Sequence, residues 1–299
     1  MKKIYLIAFY LLLIFNCHKG YACEICSSGF GSYIGILPQY GQHFLGVRWQ
    51  TQTFRSIPNP LYPSEEVFNQ YEIWGRFNII KKIQFLVFVP YFTNYRTQYG
   101  RRTEMQGLGD ISLQANYILF NSGDSIFTPL KQTLTSGIGV KLPSGKYQNP
   151  EGGQLVNPNF QLGTGSTDYF INLIYTIRYG KFGLNLDLRQ KFNGENPTNQ
   201  HQFGNQTMIS GQFFWWQNFG KFSLLPTLGV YYENSQPNTF ETDIQEHTGG
   251  NVSFWNVGTE LYLKYLSVGF SYQKPFSQNL AEGEIIAENR FSLHTTFIF

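Results

Sequence analysis

The sequence predicts an all-β protein, a transmembrane antiparallel up-and-down β-barrel of about 12 strands. Composition is the first of three observations behind this. Only 14% of the 299 residues are charged, against roughly 25% in an average soluble protein. Aromatic residues make up 18% (28 Phe, 20 Tyr and 5 Trp), alongside 30 Gly. That balance argues against a disordered tail, a coiled coil or a helical enzyme. Second, apolar and polar residues alternate with a period of two in segment after segment. Third, the chain stops inside such a segment.

The N-terminus precedes the barrel. Lys2 and Lys3, the apolar run Ile4 to Phe15, and the small residues of Gly20-Tyr21-Ala22 form a secretory signal over residues 1–22, too short to span as a helix. Its removal takes away Lys2, Lys3 and Lys19 and leaves 19 basic residues against 19 acidic. With no excess positive charge, a nucleic-acid partner is not expected. Beyond residue 22 no apolar run reaches the length of a transmembrane helix.

The alternation then sets the elements in order. Leu184, Leu186 and Leu188 lie on one face of their segment, opposite Asn185, Asp187, Arg189 and Lys191; residues 110–119 and 170–179 repeat the pattern. Strands are predicted near 44–55, 67–78, 83–95, 107–120, 132–143, 167–179, 183–193, 205–219, 222–232, 251–263, 266–276 and 287–299. Short turns alternate with polar loops of about ten to twenty residues, the pattern of periplasmic turns and external loops. An even strand count returns both termini to the periplasm. The competing soluble sandwich or lipocalin-like barrel fits less well, because the strands are too many and too long. The final segment, Arg290 to Phe299, sets Phe291, Leu293, Thr295, Phe297 and Phe299 on one face. It resembles the C-terminal signal read by the outer-membrane barrel insertion machinery, which with the lipid bilayer is an expected partner. The expected location is therefore the cell outer membrane of a Gram-negative bacterium.

If the apolar faces meet lipid, the lumen-lining candidates are Arg48, Glu72, Arg76, Asp110, Lys141, Arg178, Asp187, Arg189, Lys191, Glu260 and Arg290, with His294 nearby. Seven cations face four anions in that set. Two readings stand side by side: a lumen of salt bridges that holds the barrel, or a mildly basic channel. Phe213 to Trp216 near a turn, and Tyr91-Phe92 and Tyr231-Tyr232 near the loop ends, read as two aromatic girdles, with Phe214 or Trp216 able to line the lumen.

Residues 23–42 form an N-terminal periplasmic segment, rich in glycine from Ser27 onward, that either hangs free or plugs the lumen; residues 43–299 form the barrel. Cys23 and Cys26 make a Cys-x-x-Cys pair whose simplest state in an oxidising periplasm is a disulfide. Metal capture by Cys23 and Cys26 is a weaker reading and lipidation of Cys23 a third. No nucleophile elbow or zinc-protease motif is present, and Gly163-Thr-Gly165 is followed by no helix that would make it a phosphate cradle. No cofactor and no enzymatic activity are expected.

Gly109-Asp110-Ile111 followed by Tyr117, the stretch Gly137-Ile-Gly-Val-Lys-Leu-Pro-Ser-Gly145, and Gly163-Thr-Gly-Ser-Thr-Asp168 resemble the blocks of the phenol meta-pathway (MetA-type) family of outer-membrane β-barrel transporters. The resemblance covers roughly residues 36 to 299 and rests on soft, glycine-based motifs. It implies a barrel and uptake of small molecules, hydrophobic ones included. The Cys23-x-x-Cys26 start departs from that pattern. The expected function is a passive channel or uptake pore for small solutes. A non-conducting barrel that anchors a periplasmic partner or metal through the Cys pair is the alternative. A lipid hydrolase using His294 is a third reading, for which no serine stands out. Oligomeric state and solute are not legible.

Overall fold

The computed structural model describes residues 42–56, 64–98, 100–122, 129–147, 150–151, 154–155 and 158–299. Twelve strands form the wall: β1 (Phe44–Ser56), β2 (Ser64–Ile80), β3 (Ile83–Gln98), β4 in two arms (Arg101–Leu108 and Ser112–Asn121), β5 (Leu130–Lys141), β6 (Asp168–Tyr179), β7 (Phe182–Phe192), β8 (Gln206–Trp215, continued by Gln217–Asn218), β9 (Ser223–Ser235), β10 (Gly250–Tyr262), β11 (Leu266–Leu280) and β12 (Ile285–Ile298). Each pairs antiparallel with its neighbours in sequence, and β1 pairs with β12 to close the wall. The signal segment 1–22 and the segment 23–42, with Cys23 and Cys26, lie outside the described residues except for Gln42.

Closure is staggered. Ladder partners followed from Arg76 on β2 run through Leu86, Gln114, Gly139, Phe170, Lys191, Gln206, Ser235, Gly250, Leu280, Ile285 and Ser56. They return to β2 at Ser64, near its other end. A stagger of about one residue per strand tilts the strands by about 35° and sets a backbone radius of about 11 Å. That bore is narrow enough for large side chains and one folded loop to fill.

The alternation holds. Val47, Ile73, Ile138, Ile171, Leu228 and Val257 are exposed on the outer face, while their strand neighbours turn inward and are mostly buried. Hydrocarbon offers backbone groups no partner, so the ladder must be complete, and side chains on its outer face must be apolar. Only half of each aromatic pair joins a girdle. Phe213, Trp215 and Tyr91 face out, whereas Phe214, Phe92 and Tyr231 are buried inside. Tyr231, read from sequence as a girdle residue, is only 2% exposed.

Two external connections are far shorter than their sequence suggests. β3 and the first arm of β4 zip together from Tyr91↔Leu108 to Gln98↔Arg101, and β11 turns into β12 through a single helical turn at Ala281–Gly283. The stretch from Arg96 to Gln106 carries no outward apolar alternation, because this hairpin rises past the hydrocarbon while its backbone pairing continues. Arg102 lies over the Tyr95 ring at 4.0 Å there. The predicted continuous strand 107–120 is instead broken at residues 109–111.

The outer face yields a direct test. Ile138 is 68% exposed at mid-wall, flanked by Gly137 and Gly139. Ile138→Arg should destabilise the barrel by about 2–4 kcal/mol in vesicles, read as a lowered midpoint of denaturant unfolding. Thr135→Ser, which removes one buried methyl from the inner face, should cost only about 1 kcal/mol.

Candidate functional site: the barrel interior

The interior is stacked in three levels. Toward the turn ends, Phe44, Trp74, Leu86, Ile174, Phe214, Leu225, Tyr262 and Ile298 form one buried apolar cluster. Trp216 stacks on Tyr262 at 5.6 Å, and the half-buried Arg178 sits over Trp216. Toward the loop ends a second cluster joins Phe54, Phe68, Phe92, Met208, Tyr231, Val252 and Phe254 from the wall. Phe160 and Leu162 from the β5–β6 connection pack into it, as do Met105, Leu280, Ala281 and Ala287.

Between the collars lies a polar belt in which charges meet charges. Arg48 pairs with Glu72 while lying over Trp74, and Gln70 donates to the other Glu72 oxygen at 2.8 Å. His294 Nε2 meets Glu260 Oε2 at 2.9 Å, with the Trp74 ring edge-on at 6.0 Å. Gly269, which faces His294 across the ladder, leaves room for this pair; a Cβ there would come within 2.1 Å of the imidazole. Arg290, 1% exposed, donates to Glu233 at 3.2 Å and lies over Phe254 at 4.2 Å. Arg189 donates to Gln114 Oε1, and Gln114 donates to Asn116 and Asn172. Arg76 lies over Phe44, toward the turn-end collar.

The remaining charges tie a loop into the bore. Lys141 donates to Asp110 at 2.6 Å and to Asp168 at 2.7 Å; Lys191 reaches Asp168 at 3.2 Å. Asp110 also accepts the backbone N–H of Gly145 at 2.8 Å and of Thr164 at 2.9 Å. Asp168 accepts from Ser166 at 2.8 Å and from the Gly194 N–H at 3.1 Å, and Lys141 donates to the Thr164 hydroxyl. The break in β4 makes this node: freed from the ladder at 109–111, the chain lets Ser144 donate to the Gly109 carbonyl and accept from the Ile111 N–H. Glycines permit the close approach. A Cβ on Gly163 would lie 2.5 Å from Asp110 Oδ1, and one on Gly145 would lie 2.8 Å from the Leu162 carbonyl. The loop is thereby seated inside, with Phe160 0% exposed, edge-on to Phe68 and beneath Arg96.

The three glycine-based sequence blocks thus converge on this node. Of the twelve candidates, ten are buried in the interior, and Arg178 and Arg189 are half-buried there. Two further interior carboxylates, Asp168 and Glu233, are fully buried. Asp168 falls inside the predicted strand 167–179, on its inward face in step with Phe170 and Asn172, yet is not among the twelve candidates; Glu233 lies just past the predicted end of its own strand. With them, seven cations face six anions. Among the described residues no group of three or more His, Cys, Asp or Glu side chains suited to a metal ion occurs. Gln50, Gln212 and Asn256 hold buried side-chain carbonyls that no protein donor meets.

No family model matches the chain, and no curated protein matches it in sequence. Among solved structures it is similar to an outer membrane channel from Pseudomonas putida F1, with a TM-score of 0.64 at 12% identity over 87% of this chain and 96% of that one. It is also similar to the beta domain of the Bordetella autotransporter BrkA, with a TM-score of 0.51 at 11% identity over 86% of this chain and 100% of that one. At such identities the likeness is one of fold: a closed, 12-stranded antiparallel barrel of the outer-membrane type.

The node and the outer loops each predict a measurement. Asp110→Ala removes one partner of a buried pair and should cost about 3–5 kcal/mol. Because this loss falls on the loop, proteolysis within 158–167 should speed up while the barrel keeps its heat-resistant gel mobility. His201, in the β7–β8 loop, is held below its ordinary value of 6.5 by burial against Phe203. Its neutral form therefore supports the loop above about pH 6.5, and that support fades as pH falls further. Hydrogen exchange of 201–205 should accelerate on acidification, and His201→Phe should remove that dependence.

Proposed function

We propose that this chain is a narrow outer-membrane channel that passes small solutes through the barrel interior, uncharged and partly hydrophobic molecules in preference to ions. The observation that carries the reading is the layered bore: an apolar collar at each end and, between them, a polar belt in which Arg48, Arg290 and His294 stand against Glu72, Glu233 and Glu260. Paired charges present little net potential to a passing ion, so the belt is better suited to hydrogen-bonding a neutral solute than to drawing in one charge sign. The carbonyls of Gln50, Gln212 and Asn256 supply acceptors for a solute hydroxyl or amine. Partly buried inward rings such as Phe88 and Trp216 supply apolar contact for its remainder. The likeness to an outer membrane channel and the resemblance to the meta-pathway transporter blocks support the same reading. Arg48, Glu72, Arg189, Glu260, Arg290 and His294 would line the path. Lys141, Lys191, Asp110 and Asp168 would shape its outer mouth through the seated loop.

The mature chain reconstituted in planar bilayers should give small unitary conductance with weak ion selectivity. In proteoliposome swelling, small neutral aromatic alcohols should enter faster than sugars of equal size. Glu233→Gln unbalances the belt and should shift the reversal potential toward anions. Bilayers sealed to both ions and neutral solutes would overturn the proposal.

A further inference from the structure

Outer-membrane barrels place their short turns and both strand termini at the periplasmic end. At that end the described residues include no aspartate or glutamate, whereas lysines stand in turn after turn. Lys81 and Lys82 make the β2–β3 turn, Lys181 the β6–β7 turn, Lys221 the β8–β9 turn and Lys264 the β10–β11 turn. All five are exposed. Only the fifth connection differs: its residues 123–128, with Asp124, lie outside the described part. The opposite end carries both signs, with Glu241, Asp243 and Glu282 beside Arg55 and Arg101.

Each lysine also touches the lipid belt in sequence. Ile79 and Ile80 precede Lys81, Tyr179 and Phe182 flank Lys181, Phe219 and Phe222 flank Lys221, and Leu263 and Tyr265 flank Lys264; every one of these apolar side chains is exposed. Lys264 lies over the Tyr265 ring at 4.7 Å, and Lys181 donates to Gln217 at 3.0 Å. The ammonium groups are therefore set at headgroup depth, on stems that lie along apolar surface. They are spread around the circumference rather than gathered on one sector. A protein partner would meet one sector; an annulus of lipid meets them all.

We infer that the periplasmic rim is an interaction surface for anionic phospholipid headgroups of the inner leaflet, each lysine-bearing turn holding a phosphate. The inference goes beyond solute passage and does not depend on it. A lysine near an anionic surface enriches negative lipid about fivefold at low salt, an advantage that salt screens.

The mature chain folded into phosphatidylcholine vesicles containing phosphatidylglycerol tests it. Spin-labelled phosphatidylglycerol and phosphatidylcholine report which lipid is enriched at the protein boundary. The wild type should favour phosphatidylglycerol by about fivefold at low salt and lose most of that preference at 1 M salt. Replacing Lys81, Lys82, Lys181, Lys221 and Lys264 by Gln should bring the ratio close to one, and replacing them by Arg should restore it. Arg55→Gln with Arg101→Gln should leave it unchanged. No preference in the wild type, or one that survives the Gln replacement, would overturn the inference, as would capture of an acidic periplasmic protein by a wild type lacking the lipid preference. None of these readouts involves flux, so a non-conducting barrel would leave the inference standing.

Discussion

A chain in hydrocarbon has nowhere to leave an amide unpaired. That constraint makes β1 meet β12. Once the wall is closed, its radius follows from strand number and stagger, and the radius decides what the interior can be. At about 11 Å the bore is too wide for short side chains to fill from the wall alone and narrow enough for long inward ones to constrict it. The collars, the paired belt and the seated loop all answer that dimension.

Buried charge inside the bore obeys a second rule. An isolated ion there is costly, so Arg48, Arg290 and His294 stand against Glu72, Glu233 and Glu260, and rings of Trp74 and Phe254 cover the cations. Such pairs contribute little net stability compared with apolar packing. Their consequence is orientation. Each holds a long side chain against the wall, and Gly269 provides the hollow that one of them occupies.

The wall was legible from the chain because lipid on one side and a filled lumen on the other write a period of two into each strand. Alternation assigned Asp187, Arg189 and Lys191 to the inner face without reference to any contact. It failed where that contrast ended. The outer part of the β3–β4 hairpin, from Arg96 to Gln106, leaves the hydrocarbon, so its polar residues read as a loop although the ladder continues. Glu233 lies just past the predicted end of its strand, where no register was available, and Asp168, at the very start of its own, is inward by the alternation although it is not among the candidates. Nor could periodicity reveal the seating of Phe160 inside the barrel, since that depends on Asp110 receiving two backbone N–H groups from segments distant in sequence. The glycines at 109, 145 and 163 marked the place, and only geometry gives the reason.

The Asp110–Lys141–Asp168–Lys191 cluster draws on β4, β5, β6 and β7 at once. No shorter fragment contains all of its members, so the loop has nothing to grip until four adjoining strands have been laid side by side. Seating of this loop at the outer mouth therefore depends on all four strands being in place, so the mouth takes its final shape only after that part of the sheet has assembled.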